Sequence, residues 1–162
     1  EQRERVFPLE DFSSMKAGAV YKITIPKLQG ELMQVPKAIV RVFNPGCSSK
    51  VCKPLSYYQN HADTTGCPVY QIMTGYSDFE SVLKQGSCIQ LFVIDNDYYG
   101  EQRRYVYERY FTNELMGLPR ETRYKDVPEE MMGQLYYFEF GKLVKVANEL
   151  DLEWMTVLDN AE

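Results

Sequence analysis

The sequence has one histidine, no long apolar run and no basic block, and these shortages exclude several classes of protein. A single histidine, His61, rules out a histidine-rich metal centre and any mechanism that needs two histidines. No run of about 18 apolar residues occurs, so we expect no membrane-spanning helix. Basic residues number 18 against 23 acidic ones, which disfavours nucleic acid as the main partner.

The composition is that of a folded domain, since 44% of the 162 residues are hydrophobic and 25% are charged. No internal repeat or linker divides the chain, so we expect one domain over 1–162, with 1–18 as an N-terminal extension. Four of residues 1–5 are charged, and none is an initiator methionine. They indicate either the trimmed edge of a longer precursor, whose leader or lipid anchor has been removed, or an arbitrary cut.

Hydrophobic patterns predict strands that alternate with helices. The predicted strands cover 19–25, 37–43, 68–73 and 88–95, with a return strand at 31–35 that makes an N-terminal hairpin. The predicted helices cover 52–62, 77–84, 101–116 and 149–158. A closing hairpin is predicted at 135–140 and 142–146, around Gly141. This order predicts an α/β fold whose mixed central sheet is flanked by helices.

The four cysteines bear on the redox compartment, on disulfide pairing and on metal binding. Two disulfides would indicate an oxidising compartment, but four cysteines allow three pairings and the sequence does not choose among them. A zinc site is disfavoured because only Cys47 and Cys52 form a close pair. Cys67 precedes the predicted strand at 68–73 and Cys88 begins the one at 88–95, and both would be buried thiols or a second structural bridge.

The segment after the strand at 37–43 is the best candidate for chemistry. Cys47 and Cys52 lie where a buried strand ends and a helix begins. Thiolate is the reactive form of cysteine, and the N-terminus of a helix stabilises an anion. Lys50 and Lys53 add positive charge. These residues predict either a redox-active pair, an inert disulfide that pins the turn, or unpaired thiols.

A family resemblance accompanies this pattern. Phe43-Asn44-Pro45-Gly46-Cys47, between a strand and a helix, resembles the active-site turn of thioredoxin-like proteins. The segment 68–73 resembles the family's next strand. The segment 77–95 looks like the inserted helix and strand of the extracytoplasmic TlpA/ResA-like branch, and 136–146 looks like its terminal hairpin. The resemblance covers about 19–150.

This resemblance implies a thiol–disulfide oxidoreductase that acts outside the cytoplasm, in the periplasm or anchored to a membrane as a lipoprotein. Cys47 would attack a partner disulfide and Cys52 would resolve the mixed disulfide. The partners would be protein thiols or disulfides, and no cofactor would be required. By the same resemblance, Pro45, Gly46 and Gly133 would contact the substrate.

Two departures from the family pattern support a different function. Four residues, not two, separate Cys47 from Cys52, and Gly133 occupies the position of the family's cis-proline. A non-catalytic thioredoxin-like binding module with a structural disulfide is therefore the alternative. A peroxidase-like use of Cys47 is a third hypothesis.

Other residues have simpler explanations. The 13 tyrosines would fill a core with their hydroxyls at its rim, or else line a binding groove. Asp95-Asn96-Asp97 could bind a hard cation, although a polar turn is the simpler interpretation. His61 has no obvious serine or acidic partner, which favours a solvated side chain.

Overall fold

A computed structural model describes residues 6–47, 52–85 and 89–156. The chain has an α/β fold with a mixed sheet of seven strands among these residues, in the spatial order β1-β2-β5-β4-β3-β6-β7. The strands are β1 Val6–Pro8, β2 Val20–Ile23, β3 Lys37–Phe43, β4 Val69–Met73, β5 Leu91–Ile94, β6 Leu135–Glu139 and β7 Lys142–Ala147. The first five strands of this spatial order, β1-β2-β5-β4-β3, are parallel to one another. The last two, β6 and β7, form an antiparallel edge.

Helices flank the sheet. Within the described ranges they are α1 Ile25–Leu32, α2 Leu55–Thr65, α3 Phe79–Gln85, α4 Asn96–Tyr99, α5 Arg104–Leu115 and α6 Leu152–Thr156. Alternate residues of β3 point to different cores because successive side chains leave a strand on opposite faces. Val40 packs with residues of α1 and α5, whereas Ile39 packs with residues of α2 and α6. No described helix is long and apolar enough to cross a membrane.

The predicted α/β class and the mixed sheet flanked by helices are confirmed, and the architecture is compatible with a thioredoxin-like fold. The predicted inserted unit is present as α3 followed by β5, and β5 lies between β2 and β4. The closing hairpin is also present as β6 and β7. Its turn has Phe140 and Gly141 at positive φ, which matches the twist of the two strands.

The predicted N-terminal hairpin is wrong. The predicted return strand at 31–35 falls largely on the last turn of α1 and the turn after it. Pro26 lies in the first turn of α1, where its missing N–H costs no hydrogen bond. Ile25, Leu28 and Leu32 recur at helical spacing and are all buried, so burial of one helix face decides this segment.

The predicted extension at 1–18 contains structure that the sequence did not indicate. The strand β1 runs from Val6 to Pro8 and pairs with β2 in parallel. Leu9 is buried in the core that α1 and α5 share, although it follows this edge strand directly. Part of the predicted extension is therefore an integral part of the sheet and of its core.

Candidate functional site

The candidate site begins with a tight turn at the carboxyl end of β3. The Cys47 N–H donates to the Asn44 carbonyl oxygen at 3.1 Å, and the Gly46 N–H donates to Asn44 Oδ1 at 3.0 Å. Pro45 is buried inside this turn. A Cβ atom at Gly46 would lie 3.1 Å from the Ser77 Cβ, so the turn packs closely against the segment before α3. These contacts hold Cys47 in place beside the sheet.

Cys47 forms a disulfide with Cys52. Their Cα atoms are 6.3 Å apart, within the range that a disulfide spans. The structure thus bridges the close pair of cysteines, whose pairing the sequence left open. Cys47 is exposed and Cys52 is half-buried. The residues between them, 48–51, include Lys50 and lie outside the described residues.

Neither cysteine belongs to α2, so the predicted helix over 52–62 begins too early. The helix starts at Leu55, and Pro54 is its N-cap with extended backbone at φ −66° and ψ 160°. A residue that precedes proline is pushed away from helical backbone, which explains the late start. The helix dipole acts within about one turn of the helix end. Neither cysteine therefore lies in the first turn of α2, where the dipole acts most strongly.

A buried arginine lies beside the disulfide. Arg41, in β3, is only 3% exposed. Its Nη1 donates to Gln71 Oε1 at 2.8 Å, and its Nη2 donates to the Lys53 carbonyl oxygen at 3.2 Å. Gln71 in turn donates from Nε2 to the Leu55 carbonyl oxygen at 3.1 Å. This network joins β3, β4 and the start of α2, directly after Cys52.

The Arg41 guanidinium lies between two aromatic rings. Its central carbon is 4.1 Å from the ring centroid of Phe43 and 4.1 Å from that of Tyr58. Burial lowers the pKa of Arg41 to about 10, so the side chain still carries its charge at neutral pH. The Nε atom is buried and has no hydrogen-bond partner among the described residues. The site therefore holds a positive charge in apolar surroundings.

A cavity of about 180 Å³ joins these groups. It is lined by both cysteines and Arg41, and also by Pro45, Lys53 and residues of α3. The structure thus brings together the two predicted catalytic cysteines and the predicted contact residue Pro45. Gly46 belongs to the same turn, next to Cys47.

Gly133 lies near the end of β3, because the carbonyl oxygen of its neighbour Gln134 accepts from the Val42 N–H at 3.0 Å. It precedes β6 and lines a separate cavity of about 510 Å³ between α5 and the chain before β6, and it is not part of the disulfide cavity. A Cβ atom at Gly133 would lie 2.6 Å from the Ala147 carbonyl oxygen. No peptide bond in the described residues is cis. The family's cis-proline thus has no counterpart at this position.

Cys67 does not take part in the site. It is a buried free thiol that precedes β4, and burial raises its pKa to about 11. A second bridge through Cys67 is therefore absent, and the prediction of a buried thiol is confirmed. Cys88 lies outside the described residues.

The remaining candidates have structural roles. Asp95 caps the short helix α4 by accepting a hydrogen bond from the Tyr98 N–H, so the acidic segment there is a polar turn. No cluster of three or more potential metal ligands occurs in the described ranges. His61 is partly buried, with its ring 4.9 Å from that of Tyr57. Buried tyrosines support the predicted core role, and they are Tyr58, Tyr70, Tyr99, Tyr107, Tyr136 and Tyr137.

Sequence reasoning missed Arg41 and Gln71. Each is the single strongly polar residue inside a strand core that is otherwise apolar, at 39–43 and 69–73. The two strands are parallel neighbours, and the two residues are direct partners in the register. Polar residues at matching positions of consecutive buried strands are a signal that could have identified the pair.

Comparisons with protein-family models, curated proteins and solved structures found no match to this chain.

Proposed function

We propose that this protein is a thioredoxin-like thiol–disulfide oxidoreductase that acts outside the cytoplasm through Cys47 and Cys52. One observation carries the proposal. A disulfide with one exposed cysteine joins the end of a central strand to the chain that enters α2. Such a place combines a rigid support with access for a protein partner.

The exposures of the two cysteines support different roles. In the reduced protein, the Cys47 thiolate attacks a partner disulfide, forms a mixed disulfide and releases one partner sulfur as a thiolate. The Cys52 thiolate then attacks Sγ of Cys47, releases the second partner sulfur and restores the Cys47–Cys52 disulfide. Cys47 is the exposed member and Cys52 the half-buried one, as this sequence of steps requires. The reverse sequence transfers a disulfide to a partner dithiol.

The fold and the disulfide support the proposal in different ways. The order β3, α2, β4, followed later by the antiparallel pair β6 and β7, is compatible with a thioredoxin-like arrangement. Disulfides persist in oxidising compartments, which favours a periplasmic or otherwise extracytoplasmic location. A lipid anchor upstream of the chain, which would make the protein a lipoprotein, belongs to the same proposal.

The test measures exchange directly. We expect the protein to catalyse insulin reduction by dithiothreitol, and we expect Cys47→Ser and Cys52→Ser to abolish it. Cys67→Ser is the matched control, because that thiol is buried and unpaired, and it should retain activity. Cys52→Ser should also accumulate a mixed disulfide through Cys47, whereas Cys47→Ser should not. A reduction potential below about −300 mV with no turnover would contradict the proposal.

A second candidate is a non-catalytic binding module with a structural disulfide. The site departs from the thioredoxin pattern at two points that support this alternative. Neither cysteine lies on α2, and Gly133 leaves no room for a proline side chain. This candidate predicts an unreactive disulfide, loss of stability on reduction, and no mixed disulfide from Cys52→Ser.

A further inference from the structure

Among the described residues, no acidic side chain pairs with Arg41. Its hydrogen-bonding partners, Gln71 Oε1, the Lys53 carbonyl and the Tyr58 hydroxyl, are neutral. Its two ring contacts, with Phe43 and Tyr58, are also neutral at pH 7. The five N–H groups of a guanidinium call for more acceptors than this, and Nε is left without one.

No acidic group near Arg41 fills this role in the described part of the chain. From β4 it faces Gln71, from β6 its register partner is Leu135, and α3 contributes Val82 and Gln85 to the cavity. The titratable or charged groups around Arg41 are Tyr58, Lys53, Cys47 and Cys52. Of these, the cysteines are the groups that can supply a thiolate, and they do so only when the disulfide is reduced.

A buried charge without a counter-ion is costly, and an opposite charge nearby relieves that cost. Reduction of the Cys47–Cys52 disulfide produces such a charge in the cavity that Arg41 lines. We infer that Arg41 is the counter-charge of the thiolate formed on reduction, so that the protein acts as an oxidant of partner dithiols. The direction of exchange rests on the proposed function, whereas the interaction between Arg41 and the thiolate does not.

A partner dithiol supplies two electrons and two protons and becomes a disulfide. The Cys47–Cys52 disulfide accepts the two electrons and one proton and becomes one thiol and one thiolate. The second proton leaves to water. Because Arg41 stabilises only the thiolate product, it shifts this equilibrium toward the reduced protein and oxidised partner.

The first test removes the charge. We compare wild type with Arg41→Met and with the charge-conserving Arg41→Lys, and use the exposed Arg123→Met as the matched control. Peptide-resolved alkylation of Cys47 and Cys52 from pH 4 to 9 gives the thiol pKa values. Equilibration with dithiothreitol gives the exchange constant, which is the equilibrium constant for oxidation of dithiothreitol by the protein disulfide. Arg41→Met should lower the thiolate fraction at a fixed pH about tenfold and the exchange constant likewise. That change corresponds to a potential about 30 mV more negative.

The second test keeps the arginine but supplies another counter-ion. Gln71→Glu places a carboxylate where Arg41 already donates a hydrogen bond at 2.8 Å. It should lower the thiolate fraction, as Arg41→Met does. Arg41→Lys should retain most of the wild-type thiolate fraction. Near-ultraviolet circular dichroism shows whether each variant is folded. This variant remains informative if Arg41→Met does not fold.

The outcomes separate the two proposals. If folded Arg41→Met or Gln71→Glu leaves the thiol pKa and the exchange constant at wild-type values, the inference is overturned even when insulin is still reduced. If both values change but no protein substrate turns over, the Arg41–thiolate interaction stands and the proposed oxidoreductase function fails. If Arg123→Met changes them as much as Arg41→Met, a general loss of positive charge explains the effect and the inference is again overturned.

Discussion

Gly133 and Ala147 approach each other so closely that a side chain has no place between them. A Cβ atom at position 133 would lie 2.6 Å from the Ala147 carbonyl oxygen and 2.9 Å from its carbonyl carbon. The Gln134 N–H donates to that same oxygen at 3.2 Å, so the contact is part of the β6–β7 pairing. Glycine at this position thus allows the β6–β7 pairing at the edge of the sheet.

Gly133→Ala should destabilise the protein, because the β7 backbone would have to shift. We expect the free energy of unfolding to fall by about 1–3 kcal/mol, as overpacking costs elsewhere. Urea denaturation measures the difference. Gly30→Ala is the matched control, since Gly30 lies in α1 with nothing within 4 Å of its Cβ position. It should raise the free energy of unfolding by about 0.4–1 kcal/mol. Equal effects from the two variants would contradict this account.

Tyr137 attaches the C-terminal segment to the sheet. Its hydroxyl donates to the Glu149 carbonyl oxygen at 2.9 Å and accepts from the Asp151 N–H at 2.9 Å, and its ring lies 4.9 Å from that of Trp154. Tyr137→Phe leaves both backbone groups unpaired, so we expect a loss of about 1–3 kcal/mol. Limited proteolysis should then cut the segment before α6 faster. Tyr124→Phe, at a residue 73% exposed, should change stability by less than about 0.5 kcal/mol.

Glu108 makes stability depend on pH. Burial in the cavity beside α5 raises the pKa of its carboxyl, and Arg104 offsets part of this rise. The folded state thus holds the proton more tightly than the unfolded state. The contribution of Glu108 is therefore complete below the usual glutamate pKa and is lost as the pH rises through the raised, folded value.

Glu108→Gln should remove that loss. We expect the variant to exceed wild type in free energy of unfolding at pH 7, and the difference to shrink as the pH falls toward 4. Urea denaturation across this range measures both curves. The exposed Glu129→Gln should give a curve parallel to wild type. If the Glu108→Gln curve is also parallel to wild type, burial of this carboxyl has no energetic consequence.

Cys67 should be inert in the folded protein. Its side chain is fully buried, and burial raises its pKa to about 11, so little thiolate forms at pH 8. We expect iodoacetamide to leave Cys67 unmodified in native protein at pH 8 and to modify it fully in 6 M guanidinium chloride, as shown by peptide mass spectrometry. Rapid labelling of Cys67 in the native protein would mean that the chain at the start of β4 opens easily.

Several elements could be predicted because local patterns and tertiary burial agree. The apolar run before Asp95 predicts a strand buried on both faces, and β5 lies inside the parallel part of the sheet. Gly66, at φ 76°, ends α2 near the predicted position because only its left-handed backbone satisfies the last turn easily. The hairpin around Gly141 follows from the same preference.

The sequence by itself determined the α/β class, the closing hairpin and the place where two cysteines follow a central strand. Only the tertiary structure decided which cysteines pair, that the segment 25–32 is helical, and that Arg41 is buried beside the disulfide. The reason is physical. Periodicity and turn chemistry act between residues a few positions apart. Disulfide pairing and the burial of a charge depend on strands and helices that meet only after the chain has folded.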